Sequence, residues 1–369
     1  MQIFYRRVFA FEINRYYTRG MIVKLSGKKA RVVKQFSVAH YGNQFLDDKH
    51  IAMISQATHY LKSDIEDCIV VNFPFRDIIF SVQQMPKMSE DQLRNAVKFK
   101  LSEDYHIQPS KLIVDVSAES SFSPMKIGMT EEDTGNSLPV FAAKKVVLDR
   151  LLSTLMGTAS MPEPDIVIPD NLKYLELMNQ QAFKEDTKSN RKLNFMICQD
   201  IDYTVLFTFF GSYLIDVKEI PVSLINIVKQ GQTEEVTPQN ILDVLMEGSE
   251  IGSLSYTQSL NEVFDDHYSR LAFESEKAIR STLNNTSIVN PMTKINKVYV
   301  CSINNRLTLD LEYRMREENI LRGIEVERLP FKDDFPDQFE KMSTTLGIAY
   351  RGVRKLGKYQ FIQTQEAKI

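Results

Sequence analysis

Polar and acidic side chains stand at the ends of two similar apolar hairpins that lie far apart in this chain of 369 residues. In the first, the run from Val8 to Lys24 turns at Glu12, Asn14 and Arg15, followed by Tyr16 and Tyr17. In the second, the run from Asn194 to Ile215 turns at Asp200, Asp202, Tyr203 and Thr204. Glycine in such a turn lets backbone N–H groups approach a phosphate, and an adjacent carboxylate helps to hold a metal ion. Here bulkier groups stand where that chemistry needs glycine. A third cluster, Ser302-Ile303-Asn304-Asn305, follows another buried strand-like run. Its two asparagines either project side chains into a ligand's space or form a left-handed turn, since asparagine tolerates positive φ. No other reaction is written in the chain. It contains no G-x-x-x-x-G-K loop, no G-x-S-x-G elbow and no Cys/His cluster. The neighbouring acids Glu103-Asp104 and Asp265-Asp266 diverge on helices and read as wet surface.

The elements that must position these groups follow from periodicity. Three strands are predicted over 8–38, a helix from about Asp47 to Lys62, and a strand pair around Pro74. Ser89 and Gln92 form a capping box that starts a helix ending before Pro109. Residues 117–137 are polar and read as an exposed hairpin or loop, and a helix is predicted over Asn171–Phe183. The polar stretch Lys184–Lys192 is the best domain boundary, after which a strand-rich unit restarts. Further on come a long helix over Val263–Leu283, a strand at Lys297, a helix over Leu307–Arg322 closed by Gly323, and a late helix from Ser343.

Length and a hydrophobic fraction of 43% suit two globular units. A net charge of −3 provides no basic field for nucleic acid. No apolar run is long enough to span a bilayer, and the start reads as a first strand and not as a signal peptide. Cys68, Cys198 and Cys301 lie in apolar runs and read as buried, reduced thiols, with no metal site.

The order of these segments resembles the actin-like ATPase superfamily, and more closely its FtsA/PilM-like branch of type IV pilus assembly proteins. A weaker likeness is to the cytoplasmic domain of GspL. Phe11-Glu12-Ile13-Asn14, the segment from Met85 to Ile107 with Asp115 beyond, Val140–Lys145, Gln199–Thr204 with Lys218–Pro221, Glu274–Leu283, Val298–Asn305, Ile324–Phe331 and Leu346–Tyr350 carry it. The resemblance implies an α/β, two-lobed, RNase H-like fold with duplicated mixed sheets and a small inserted subdomain. The first lobe is expected at 1–84 and 146–190, and the inserted subdomain at 85–145. The second lobe is expected at 191–221 and 290–369, with a helical insertion at 222–289.

In the family the hairpin turns grip a nucleotide. At these positions Glu12, Asn14 and Arg15, then Asp200, Asp202, Tyr203 and Thr204, then Asn304 and Asn305, mark a degenerate cleft. Asp202 would set a carboxylate beside phosphate, a repulsion of roughly 4 kcal/mol at ~4 Å and an effective dielectric of ~20. A metal ion would offset it, so ATP with Mg²⁺ remains the alternative to no cofactor at all. The expectation is a pseudo-ATPase: a cytoplasmic scaffold of a type IV pilus, type II secretion or gliding machine. Its partner would be an inner-membrane assembly protein (PilN-like, or like GspL's partner), held by its cytoplasmic N-terminal peptide, with a cytoplasmic motor ATPase beyond. Phe73, Phe75, Ile79, Phe80, Val97, Phe99 and Leu101 are the candidates for lining the peptide groove, although such residues are more often core. A divergent working ATPase and a filament-forming actin-like protein are the rival readings.

Overall fold

The computed structural model describes residues 7–363 apart from 27–28, 43, 65–66, 87, 117–135, 179–191, 212, 248–256, 285–294, 319–322, 331–340 and 354–361. The expected loop at 117–137 and the boundary at 184–192 therefore fall almost wholly outside the described residues.

Two sheets share one strand order. In the first, β1 (Arg7–Asn14), β2 (Tyr17–Ser26) and β3 (Lys29–Ala39) form an antiparallel meander, and β4 (Cys68–Phe73) and β8 (Ile166–Pro169) add in parallel on the other side of β1. In the second, β9 (Leu193–Gln199), β10 (Thr204–Phe210) and β11 (Tyr213–Ile220) repeat the meander. There β12 (Ile295–Ser302) and β13 (Glu325–Arg328) add in parallel beside β9. The founding strands are mostly apolar and almost wholly buried, with packed residues on both faces of each sheet. Seven of the eight residues of β1 and all seven of β9 are buried.

Between β3 and β4 lies α1 (Asp48–Leu61), capped by the Asp47 carboxylate on the His50 N–H. The matching position in the second lobe holds α5 (Ile225–Gln230), α6 (Pro238–Glu247) and α7 (Thr257–Leu283). Their apolar faces pack with α8 (Asn305–Glu317) on one side of the second sheet.

The inserted subdomain is a three-stranded sheet in the order β5 (Ile78–Met85), β7 (Asn136–Lys144), β6 (Leu112–Val116). Across it lies α2 (Glu90–Tyr105), started by the Ser89–Gln92 capping box. It begins earlier than residue 85, because β5 pairs along its whole length with β7 and not with β4. Pro74 thus separates two sheets and does not interrupt a strand pair.

After β7 come α3 (Lys145–Ser153) and, after β8, the short α4 (Leu172–Leu177). The C-terminal part corrects the expected lobe boundary. α9 (Ser343–Val353) packs its apolar residues on the face of β1, β2 and β4. β14 (Ile362–Gln363) pairs with β8 at the edge of the first sheet. Ser343–Val353 and the strand Ile362–Gln363 therefore belong to the first lobe and not to the second. α9 crosses α4 at Gly347, where the carbonyl group of Lys173 lies against the Cα and leaves no room for a side chain. α8 ends at Glu317, and 319–322 are outside the described residues.

A buried lysine between the two hairpin turns

The two hairpins meet turn to turn. Asn14 pairs with Tyr17, so the first turn is only Arg15 and Tyr16. No glycine is needed, because the Asn14 side-chain oxygen accepts the Tyr16 N–H at 2.9 Å and closes the turn itself. In the second, the Asp200 N–H donates to the Tyr203 carbonyl at 2.8 Å, and the Asp200 Oδ1 accepts from Ile201 N at 2.7 Å. The Asn14 side-chain amide then donates across the gap to Asp202 Oδ1 at 2.7 Å. Asp202, expected to face a phosphate, is engaged by the opposite turn.

Behind that bridge lies Lys173, fully buried at the start of α4. Its Nζ donates to Asp200 Oδ2 at 2.5 Å, Glu12 Oε1 at 2.8 Å and both Asp170 oxygens at 3.1 Å. Glu12 and Asp200, one from each hairpin, thus reach the same ammonium. Tyr17 Oη joins them, 2.9 Å from Glu12 Oε1 and 3.0 Å from Asp200 Oδ1. The remaining lone pairs are also occupied. Thr345 and Thr344 donate to Glu12 Oε2 at 2.6 and 3.1 Å. Asn72 and Tyr203 donate to the two Asp170 oxygens at 2.8 and 2.7 Å, and Tyr174 to Asp200 Oδ2 at 3.2 Å.

The charges explain the protonation states. Burial pushes the Glu12 carboxyl up, but Lys173 and Arg19 outweigh it and hold the group below the usual carboxylate range. Burial disfavours the Lys173 ammonium, yet Asp170, Asp200 and Glu12 together hold its pKa well above that of a free lysine. One ammonium cannot answer three carboxylates, and Asp170 is pushed up to about 7 by burial, against the pull of Lys173. Burial likewise raises Asp202 to about 6, with the Asp200 charge adding to it.

A second buried cation ties the lobes. Arg19, on β2, donates to the carbonyls of Ile303 and Met246, each at 3.2 Å, and lies over the Tyr17 ring at 5.1 Å. The asparagine cluster is structural. Asn304 is extended at φ −149°, caps α8 through Leu307 N, and donates to the Leu245 carbonyl at 2.8 Å. The left-handed alternative is not adopted, and Asn305 is simply the first residue of α8. Thr204 is buried as the first residue of β10.

The structure brings Glu12, Asn14, Asp200, Asp202, Tyr203 and Thr204 together, with Arg15 exposed on the turn. Sequence reasoning missed Asp170, Lys173, Asn72 and Arg19. Asp170 carried a signal, since it directly follows the buried strand β8; Lys173, between Leu172 and Tyr174 on α4, carried none, because a helical lysine ordinarily points its charge to water.

The groove candidates divide. Phe73, Val97 and Leu101 have no exposed surface and belong to the cores, so they line no open groove. On α2 the register that turns Val97 and Leu101 onto the small sheet turns Phe99 outward, and Phe99 is 64% exposed. Phe75 stacks on Tyr203 at 4.1 Å, Phe80 meets Phe141 edge-on at 5.2 Å, and Ile79 packs partly buried on the small core. All three cysteines are buried and free.

No protein-family model matches the chain, and no curated protein matches it. Solved structures do. PilM, in the PilM–PilN type IV pilus biogenesis complex, superposes with a TM-score of 0.68 at 14% identity, over 94% of this chain and 98% of that one. The cytoplasmic domain of EpsL, an inner-membrane component of the Vibrio cholerae type II secretion system, matches at a TM-score of 0.36 and 12% identity, over 63% and 79%. A Bacteroides thetaiotaomicron protein of actin-like ATPase fold and unknown function matches at 0.43 and 9%, over 95% and 98%. With its duplicated strand order and its hairpin turns meeting between the lobes, the chain has the two-lobed actin-like fold, and it is similar to PilM over nearly its whole length.

Proposed function

We propose that this protein is a non-catalytic, actin-like scaffold of a type IV pilus or type II secretion machine, or of a related gliding machine. It docks in the cytoplasm on the peptide of an inner-membrane partner and links that partner to a motor ATPase. The fold match to PilM, solved with PilN, supports the class of machine and the kind of partner. No helix among the described residues is long and apolar enough to cross a membrane, in keeping with attachment through a partner.

One observation carries the loss of catalysis. The carboxylate oxygens that a nucleotide's metal would need are held by the chain's own Lys173 ammonium, and the Asn14–Asp202 hydrogen bond closes the gap between the turns. Magnesium demands oxygen ligands in near-octahedral array, and an ammonium at 2.5–3.1 Å from four of those oxygens competes for the same space. The residues present do not fit Mg·ATP. For docking, Phe99 on the inserted subdomain is the exposed apolar group that remains of the expected groove.

Titration calorimetry with ATP and Mg²⁺ tests this reading. The scaffold gives no saturable heat. Saturable binding at micromolar ATP that disappears in Asp200→Ala would establish the divergent ATPase instead, and nucleotide-dependent pelleting would establish a filament.

A further inference from the structure

Charge is unevenly spread along this chain. From Ile13 to Leu46 there is no acidic residue, while seven lysines and arginines fall in that stretch of a chain whose net charge is −3. Several of these cations gather at one corner of the first sheet. β3 is the edge strand, and α1 ends over the β2–β3 face, with Leu61 against Gly20 and the Tyr60 ring 6.0 Å from that of Phe36. The ladder runs on past the helix end. There Lys24 stands directly opposite Arg31, Lys34 stands opposite Ile22, and strand alternation puts all three cations on the α1 side. Lys62 caps the C-terminus of α1 beside them. All four cations are exposed, and none of them is ion-paired among the described residues. Like charges directly opposite one another destabilise a strand pair, so this corner costs stability unless something anionic answers it. Apolar groups stand among the charges. Tyr60 is 54% exposed, with Lys34 Nζ 5.6 Å over its ring, and Val33 is 51% exposed. Val33 is the extra residue of a β-bulge, since Ile22 pairs with Lys34 and Val23 with Val32.

We propose that this corner is a contact surface for an anionic lipid bilayer. Lys24, Arg31, Lys34 and Lys62 meet the phosphate head groups. Tyr60 and Val33 enter the interfacial layer, which suits a ring with an apolar body and a polar tip. A lipid surface fits this edge better than an added acidic strand does, because a bulge and a lysine on an edge strand block pairing with another strand. Near an anionic leaflet each lysine or arginine strengthens binding roughly fivefold, so four give a preference of about a few hundredfold over a neutral bilayer. This goes beyond the docking proposed above, which runs through a protein partner. It needs neither that partner nor a nucleotide, so it stands or falls separately from the scaffold reading.

Flotation of the full chain with vesicles tests it, using equal parts of phosphatidylglycerol and phosphatidylcholine against phosphatidylcholine alone. At low salt the chain should float with the anionic vesicles and not with the neutral ones. It should be released at about 1 M salt, where screening acts over roughly 3 Å. Lys24→Gln/Arg31→Gln changes two exposed residues, so the fold survives, and lowers binding roughly 25-fold. Lys277→Gln/Arg280→Gln removes the same charge from exposed positions on α7 and should leave binding unchanged. The proposal is overturned if the anionic vesicles do not carry the chain, or if neutral vesicles carry it equally well. It is equally overturned if the Lys24→Gln/Arg31→Gln variant floats like the parent, or if the α7 variant loses as much. Saturable binding of a polyglutamate peptide, lost in Lys24→Gln/Arg31→Gln and without vesicle binding, would assign the corner to an acidic protein segment instead.

Discussion

Replacing Lys173 by methionine isolates the ammonium from everything else in the cluster. The apolar stem is kept, so the packing of α4 changes little, and only the charge disappears. Four carboxylate oxygens lose a partner at 3.1 Å or less, and Glu12 and Asp200 are fully buried. Removing one member of a buried ion pair typically costs about 3–5 kcal/mol, because the other charge is left unanswered in a low dielectric. Here one ammonium contacts three carboxylates, so the loss at about pH 8 should reach at least that range. Protonation limits it. Without Lys173 the folded-state carboxyl pKa values rise above their unfolded values. Such a group's stabilising contribution is complete below the unfolded pKa and is lost as pH rises through the folded one. The variant therefore loses most at about pH 8 and recovers part of its deficit towards about pH 5. Asp170, already at about 7 in the parent, is the first to take the proton. Urea unfolding followed by circular dichroism at both pH values measures the difference. A Lys173→Met protein within about 1 kcal/mol of the parent at the higher pH would refute the argument. So would a deficit that grows on acidification.

Two further outcomes are expected. Gly347→Ala should melt earlier, losing about 1–3 kcal/mol, because its Cβ would collide with the Lys173 carbonyl group where α9 crosses α4; an unchanged thermal midpoint would show that the crossing relaxes. Burial holds His40 at about 4, and His50 and His267 at about 3, all below the ordinary histidine value. The stability they support is complete above about pH 6.5 and is lost as pH falls through about 4. Imidazole resonances followed by NMR should show three of the five histidines still neutral at about pH 5.5; titration of all five above that pH would contradict the buried His40–His50 ring contact and the burial of His267.

Much of the fold was legible in the residues. The β1–β2 and β9–β10 hairpins, the capping box at Ser89 and the long helix α7 follow from local pattern, and local pattern acts over a few residues. The ordering of the segments then carried the resemblance to a two-lobed actin-like fold. Membership was harder. Ile78–Met85 reads as the partner of the strand before Pro74 because the two are adjacent in sequence, yet its ladder is with β7. Ser343–Val353 reads as part of the second lobe for the same reason, yet its apolar face belongs to β1 and β4. On the site, Glu12, Asn14, Asp200 and Asp202 announce themselves as polar groups ending apolar strands. Lys173 does not, since one lysine among apolar helical residues ordinarily points its charge to water.

By itself the sequence settled that two apolar hairpins end in polar side chains where glycine would serve a phosphate, and that no other catalytic motif accompanies them. That much is a matter of residue type and spacing. Only the tertiary structure decided what those side chains do. It brought Glu12, Asp170 and Asp200 from three distant segments onto one buried ammonium, and it turned Asn14 towards Asp202. The Glu12–Lys173 and Asn14–Asp202 contacts join residues more than a hundred positions apart, which no local pattern encodes. The physical reason is burial: carboxylates withdrawn from water must find a cation, and in this chain the cation is covalently part of the fold.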